Sequence, residues 1–284
     1  AFAIYETALL GFLCQATGVA TKAARCKKIA GDRTVISFGG RRVHPSVAPV
    51  VERSAYIGGF DGVATLKSGE IIGEEPVGTM PHALVIMMGD TVEATVAFNS
   101  VFKGRVKTIS LIDTFHDEKF EALRVAESLK TELYAVRLDT PASRRGDFFR
   151  ILEEVRWELD SRGYNHVKLF VSGGLDEEDI ALLNPLVDGY GMGTSISNAK
   201  VVDFSMDIVE VEGTSIAKRG KMSGSKRVVR CNRCLKDRVL PLDVKERRCK
   251  CGGKFIDLLE GVIKKGRVRK KLPAPQEIRA SVLK

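Results

Sequence analysis

The sequence predicts an α/β fold with a parallel sheet closed into a β/α barrel, followed by a small cysteine-bearing module. Three observations carry this. Apolar strands of five to seven residues alternate with helical stretches of ten or more, which parallel strands with crossover helices require. Six or seven such units in one stretch favour a barrel over an open sheet. Beyond about residue 200 the alternation stops and four of the six cysteines fall within 21 residues.

From Ile4 to Lys28, Ile4, Ala8, Leu9, Phe12, Leu13, Ala16 and Val19 recur at helical spacing and predict a core-packed helix. A strand is expected at 35–40, a helix around 45–59, strands at 62–66 and 76–80, and one helix from His82 to about Val101. The strand TISLID (108–113), a helix over 117–132, the strand LYAVRLD (133–139) and a long helix over 146–163 come next. The strand HVKLFVSG (166–173), a helix over 175–187 and the strand GYGMGT (189–194) complete the barrel. An alternating strand, MDIVEVEG, then opens a different pattern.

Composition divides the 284-residue chain in the same place. Residues 218–284 hold 22 Lys and Arg against 6 Asp and Glu, whereas residues 1–217 hold 23 against 30, so the net +9 combines a −7 body with a +16 tail. The 44% hydrophobic content excludes a disordered or collagen-like chain. No unbroken apolar run reaches the roughly 20 residues of a membrane span, and the first residues lack the basic flank and cleavage site of a signal peptide. A cytoplasmic protein without a membrane partner is therefore expected. The start at Ala1, without Met and directly inside a helix, suggests that an N-terminal portion is missing.

Polar residues gather where the strands end, on the face where a β/α barrel builds its site. The turns SGG (Ser172, Gly173, Gly174) and GMGT (with Gly193 and Thr194) each join a strand to a helix, so their backbone N–H groups can hold a phosphate. Arg41, Arg42 and Arg137 suit a carboxylate or phosphate. Asp113 and Asp139 suit a divalent cation or ribose hydroxyls. His82, directly after GTMP at a strand end, is the most informative of the four histidines. His44 and His116 also lie near strand ends, and His166 reads as structural. Together these residues describe a site for an anionic, phosphorylated sugar.

In the tail, two residues separate Cys231 from Cys234 and one separates Cys249 from Cys251, with fourteen between the pairs. Two close thiolate pairs at this separation close a tetrahedral Zn2+ site, read as structural because four thiolates leave no open position. Cys14 and Cys26, on the first helix, read as small core residues. Basic zinc modules often bind nucleic acid, but residues 218–284 contain a single aromatic, Phe255, which disfavours a nucleic-acid partner. Docking of the basic face on an acidic protein surface is the expectation instead, with Lys218, Lys221 and Lys226 also placed to attract an anionic substrate.

FGGRRVHP, GTMPHAL, SLIDTFHDE, VRLDTPASR, SGGLDEEDI, GYGMGTSIS and KRGKMSGSK, in that order over residues 1–227, resemble the nicotinate phosphoribosyltransferase family in its short archaeal form. The quinolinate phosphoribosyltransferases are the nearest relatives. The resemblance implies an incomplete β/α barrel (residues 1–200) and strands of an open-faced sandwich domain (201–227) whose front is missing, followed by the basic zinc-binding module (228–284). It implies transfer of phosphoribosyl from phosphoribosyl pyrophosphate, with Mg2+, to nicotinate, giving nicotinate mononucleotide for NAD synthesis, with quinolinate as the alternative acceptor. By motif, Ser172, Gly173, Gly174, Gly193 and Thr194 would hold the 5-phosphate, and Asp113 and Asp139 would face the ribose hydroxyls and the metal-pyrophosphate side. Arg41, Arg42 and Arg137 would bind pyrophosphate or the nicotinate carboxylate, and His82 would be the active-site histidine that some members phosphorylate. DTPA at 139–142 and Pro81 before His82 depart from the longer members' pattern and leave ATP coupling open. Family members are dimers or larger, so a homo-oligomer is expected.

Overall fold

The computed structural model describes residues 2–284, which form two compact units. One comprises Gly11–Asp203 with Ala274–Lys284, the other residues 2–10 with Phe204–Pro273. The first helix, α1 (Phe2–Ala30), ends where Gly31 turns into the left-handed region (φ 60°). Its buried residues Gly18, Val19, Ala23, Cys26 and Ala30 all lie in its C-terminal half, four of them in the main core, while Ile4, Tyr5, Leu9, Phe12 and Leu13 are exposed. As a whole α1 is long and apolar enough to cross a membrane, a property spread along the helix rather than held in one unbroken apolar run.

In the larger unit β1 (Thr34–Ser37) is followed by α2 (Ala48–Ile57), α3 (Leu66–Ile72), α4 (His82–Met88) and α5 (Thr91–Phe102). Then β2 (Thr108–Leu111), α6 (Glu118–Leu129), β3 (Leu133–Leu138), α7 (Ala142–Arg145) and α8 (Phe148–Ser161) alternate. β4 (Lys168–Ser172), α9 (Glu177–Leu183), β5 (Gly189–Met192) and α10 (Thr194–Ser197) follow. The sheet order is β1-β5-β4-β3-β2, parallel throughout. β1 also bridges Gly62 in parallel, and the run after it donates from Val77 N to Val63 O at 2.7 Å. Arg137 on β3 then reaches Met80 O at 2.7 Å, so the chain between β1 and β2 bends round towards the far edge of the sheet. This is the incomplete β/α barrel. Its core lies between sheet and helices, with Val35, Val136, Leu138, Leu169 and Val171 from the strands meeting Val125, Leu152, Val155 and Ile180.

Four expectations are corrected. The stripe expected to pack in the core is exposed at Ile4, Leu9, Phe12 and Leu13, and residues 76–80 form no strand. The strand expected at 62–66 is reduced to the single bridge at Gly62, because the buried Glu52 carboxylate takes the N–H groups of Ala64 (3.3 Å) and Thr65 (3.0 Å), and α3 begins instead. The single helix expected from His82 is two, bent by 109° at Gly89 (φ 80°), after which Asp90 caps α5 by accepting from Val92 N and Glu93 N.

In the smaller unit β6 (Glu210–Val211) and β7 (Thr214–Ser215) form a short hairpin, all the ladder that the alternating run MDIVEVEG supplies. β8 (Lys226–Cys231), β9 (Asp237–Pro241) and β10 (Phe255–Asp257) make an antiparallel sheet of order β10-β8-β9. A further hairpin joins β11 (Ile263–Lys264) to β12 (Arg267–Val268). The last helix, α11 (Pro275–Val282), belongs to the barrel unit. Gln276 donates to Ile72 O (2.6 Å), and Arg279 donates to Phe60 O (2.8 Å) and pairs with Asp61.

Candidate active site and metal centre

Because the sheet is parallel, the C-terminal ends of its strands share one edge. Glycines let the last two ladders pack. A Cβ on Gly189 would lie 2.3 Å from the Phe170 ring, and one on Gly191 would lie 2.2 Å from Phe38. Adjacent registers then set the SGG turn after β4 beside the GMGT turn after β5, and Ser195 Oγ donates to Leu175 O at 2.7 Å to tie the two turns together. The N–H groups of Gly173, Gly174, Gly193, Thr194 and Ser195 donate no hydrogen bond within the described residues. Five free donors on two joined turns are the chemistry of an oxyanion cradle. Gly173 holds φ 88°, and a Cβ there would come within 2.9 Å of Asp139 Oδ1.

Behind this cradle runs a chain of hydrogen bonds. Arg137 donates to Ser172 Oγ (2.8 Å), Ser172 donates to Asp139 Oδ1 (2.7 Å), and Arg137 stands 3.7 Å from Asp139 Oδ2. Arg137 is nearly enclosed, and burial pulls its guanidinium below the ordinary arginine value while Asp139 and Asp113 oppose the shift. His82 stands across the site, its Nε2 3.6 Å from both Asp113 Oδ2 and Asp139 Oδ2, and its Nδ1 3.0 Å from Thr114 Oγ1. The Asp113 side chain is 1% exposed, and both its oxygens lack a hydrogen-bond partner among the described residues. Burial pushes its carboxyl above the usual carboxylate range, with His82 opposing. A buried carboxylate with two open oxygens beside a second carboxylate is a donor set that fits a divalent cation. Arg41 and Arg42, on a short 3-10 turn at Gly40–Arg42, are exposed and have no ion-pair partner among the described residues, and Arg41 adds to the downward shift of Arg137.

The structure thus brings His82, Asp113, Asp139, Arg137 and Ser172 into one hydrogen-bonded or ion-paired group, with the two glycine turns alongside. Sequence reasoning missed Arg145. It donates to Thr140 O (3.0 Å), Ser172 O (3.3 Å) and Gly173 O (2.5 Å), and its guanidinium lies 4.5 Å from the Phe148 ring centre. Thr114, which orients His82, was also missed. Both sit one or a few residues beyond strand ends already singled out, the only signal available for them. His44, His116 and His166 make no contact with this group. Cys26 is a core thiol that burial pushes up to about 12.

In the smaller unit the Sγ atoms of Cys231, Cys234, Cys249 and Cys251 lie within 4.8 Å of one another, at 3.5 Å for Cys231 to Cys251 and 3.6 Å for Cys234 to Cys249. Tetrahedral Zn–S bonds of about 2.3 Å separate sulfurs by about 3.8 Å, so the four thiols fit one such ion. Gly253 permits the turn, since a Cβ there would strike Cys231 Sγ at 2.5 Å. The Arg233 N–H points at Cys231 Sγ (3.4 Å), and N–H groups of Cys234 and Arg233 hold the Cys231 thiol down to about 6.

An incomplete parallel β/α barrel with amide-bearing glycine turns, paired carboxylates and arginines at its strand ends defines an enzyme-type scaffold. Residues 19–207 match the family described as quinolinate phosphoribosyl transferase, C-terminal domain, and the chain belongs to this nicotinate- and quinolinate-type phosphoribosyltransferase family. Nicotinate phosphoribosyltransferases of Mycobacterium tuberculosis and Bacillus subtilis are each 32% identical, over 78% and 69% of this chain and 50% and 40% of those proteins. The chain spans about half the length of the curated relatives it matches. A crystal structure of nicotinate-nucleotide pyrophosphorylase from Pyrococcus furiosus superposes with TM-score 0.94 at 53% identity, covering 99% of this chain and 72% of that one. Human nicotinic acid phosphoribosyltransferase, at TM-score 0.72 and 20% identity over 97% of this chain and 69% of that one, shares the fold.

Proposed function

We propose that this chain carries the catalytic barrel of a cytoplasmic nicotinate phosphoribosyltransferase, which moves phosphoribosyl from phosphoribosyl pyrophosphate to the ring nitrogen of nicotinate. The observation that carries the reading is the pairing of the free-amide cradle on Gly173, Gly174, Gly193 and Thr194 with buried Asp113, whose oxygens accept no hydrogen bond among the described residues. The cradle takes the 5-phosphate. Asp139, fixed by Ser172, faces the ribose, where positive charge develops as the bond to pyrophosphate breaks. Arg41 and Arg42 meet the departing pyrophosphate or the pyridine carboxylate, and Arg137 fixes Ser172 and Asp139. Asp113 and Asp139 would hold Mg2+, which supplies charge neutralisation to the pyrophosphate. His82 bridges the two carboxylates and Thr114.

Quinolinate is the second reading, favoured by the family match. The full-length protein incubated with phosphoribosyl pyrophosphate, Mg2+ and each pyridine acid separates them. Nicotinate mononucleotide formed from nicotinate supports the first reading, the same product from quinolinate with CO2 release the second, and no product from either defeats both. Repeating the assay with ATP tests coupling through His82. In the same protein Asp139→Ala is expected to lower turnover by at least 100-fold, and wild-type turnover in the folded variant removes Asp139 from this role.

The four cysteines would hold a structural Zn2+. Apolar Ile86, Met87 and Met88 of α4 are exposed four to six residues from His82, which favours a homo-oligomer whose contact lies beside the site. Sedimentation of the full-length protein reads its state.

A further inference from the structure

We infer that the four-cysteine unit binds single-stranded nucleic acid through a basic cleft on its cysteine-held turn. The cleft, about 680 Å³, is lined by Arg227, Lys245, Arg247, Arg248, Lys254 and Phe255, with one acid, Glu246, among them. Local pairing gathers these residues. Arg248 bridges Lys254 antiparallel, Phe255 N donates to Arg247 O (3.1 Å), and Cys249 N donates to Gly253 O (2.8 Å) in the cysteine turn itself. The charges therefore cannot move apart without opening the cysteine-held loop.

The acids nearby are already taken. Glu246 pairs with Arg238, and Asp257 grips Arg227 with two bonds (2.9 and 2.6 Å). Lys245, Arg247, Arg248 and Lys254 are exposed and have no ion-pair partner among the described residues. Four unpaired cations held on one turn repel one another, and an arriving polyanion relieves that repulsion. A second set on the same unit extends the requirement. Lys264, Lys265, Arg267 and Arg269, on and beside the β11–β12 hairpin, also lack partners among the described residues, and Lys265 and Gly266 turn the hairpin in the left-handed region. One small anion neutralises only part of either set, whereas a chain of phosphates meets several cations at once. Phe255, half-buried in the cleft, offers a ring on which an unpaired base can stack, and this selects a single strand. A lone aromatic in the basic tail seemed a weak signal in the sequence, but folding sets it among the cations.

The test is fluorescence anisotropy of a labelled 16-nucleotide oligouridine titrated with the full-length protein across a range of salt. Expected are binding near 0.1 M salt, weaker binding of a duplex of equal length, and a salt slope that drops by about 3 in the Lys245→Gln/Arg247→Gln/Arg248→Gln/Lys254→Gln variant, as four lost strand phosphates require. Phe255→Leu, which keeps apolar volume without the aromatic face, is expected to weaken binding about tenfold. Circular dichroism confirms that each variant is folded, and single Arg247→Gln and Arg248→Gln variants replace the fourfold one if it is not. No binding at 0.1 M salt, an unchanged slope in these variants, or equal affinity for duplex overturns the inference. So does a change of oligomeric state in the fourfold variant without loss of oligouridine binding, which would make the cleft a contact between proteins.

Discussion

His82 Nε2 faces Asp113 Oδ2 at 3.6 Å, across a carboxylate whose side chain is 1% exposed and satisfied by no hydrogen bond among the described residues. Such a group costs stability when ionised. Its pKa is raised by burial, so between the unfolded value near 3.8 and the raised folded value the native state holds more protons than the unfolded one. Stability therefore falls as pH climbs through that window. Asp113→Asn removes the charge at constant shape, so the ligand-free variant should melt above wild type at about pH 7 and with it at about pH 3, while turnover drops at least 100-fold. Thermal melts at both pH values decide the matter, and a neutral-pH melting point below wild type contradicts it.

Arg145 fixes three carbonyl oxygens, those of Thr140, Ser172 and Gly173, and so keeps the amides of the SGG turn facing the cradle. Losing it should free the turn without touching the acceptor. Arg145→Ala is expected to raise the KM for phosphoribosyl pyrophosphate about tenfold or more, with a smaller change in the KM for the pyridine acid. Arg145→Lys, which can satisfy fewer of these oxygens, should recover only part of the loss. Equal changes in both KM values would show a general structural role.

Gly173 combines φ 88° with an approach of 2.9 Å between its missing Cβ position and Asp139 Oδ1. Alanine there meets both backbone strain, about 1–2 kcal/mol, and a carboxylate that cannot withdraw without leaving Ser172. Gly173→Ala should lower affinity for inorganic pyrophosphate or phosphate, measured calorimetrically, by more than Gly174→Ala. Gly174 has no neighbour within 4 Å of its Cβ position and carries the strain alone.

Much of this site was readable because it follows strand ends. Strands β2 to β5 are apolar runs bounded by helices, and Asp113, Asp139, Ser172 and Gly193 each stand just after or at the end of one. Local pattern failed where a distant group intervened. GVATL looks like a strand, yet Glu52 claims its N–H groups from another helix. Gly191 looks like part of the phosphate turn GMGT, yet it makes room for Phe38, as Gly189 does for Phe170. The C-terminal helix went unread, although Pro275 and Glu277, which accepts from Ala274 N (2.7 Å), stand at its start. That α11 would pack on the barrel unit depended on Gln276 finding Ile72 O, some 200 residues earlier, and no local pattern announces that.

Asp90 separates a charge effect from a capping effect. It caps α5 through Oδ1, and its Oδ2 accepts from Arg124 (2.5 Å), which holds its carboxyl below the usual range. For a depressed carboxylate the stabilisation is complete above the unfolded value near 3.8 and disappears as pH falls through the lowered one. Asp90→Asn keeps the cap and loses the ion pair. Because Arg124 is 43% exposed, the cost at neutral pH should be only about 0.5–1 kcal/mol, vanishing near pH 2, as denaturant melts at the two extremes would show.

The four cysteines predict a stability that is divided between the two units. Val229 and Leu240 are the buried apolar residues of the β8–β9 ladder, too few to fold a sheet of this size unaided, so a Zn2+ held by the four thiolates would supply most of the stabilisation, about 10 kcal/mol or more. Zinc content of one per chain is expected in the full-length protein. Cys234→Ser, which replaces an exposed ligand, should lower metal retention and expose the smaller unit to protease while the barrel unit resists. A strong chelator should reproduce the variant's cleavage pattern in the wild-type protein. Full retention of metal by the Cys234→Ser variant, or cleavage that begins in the barrel unit, would rule out a closed four-thiolate site.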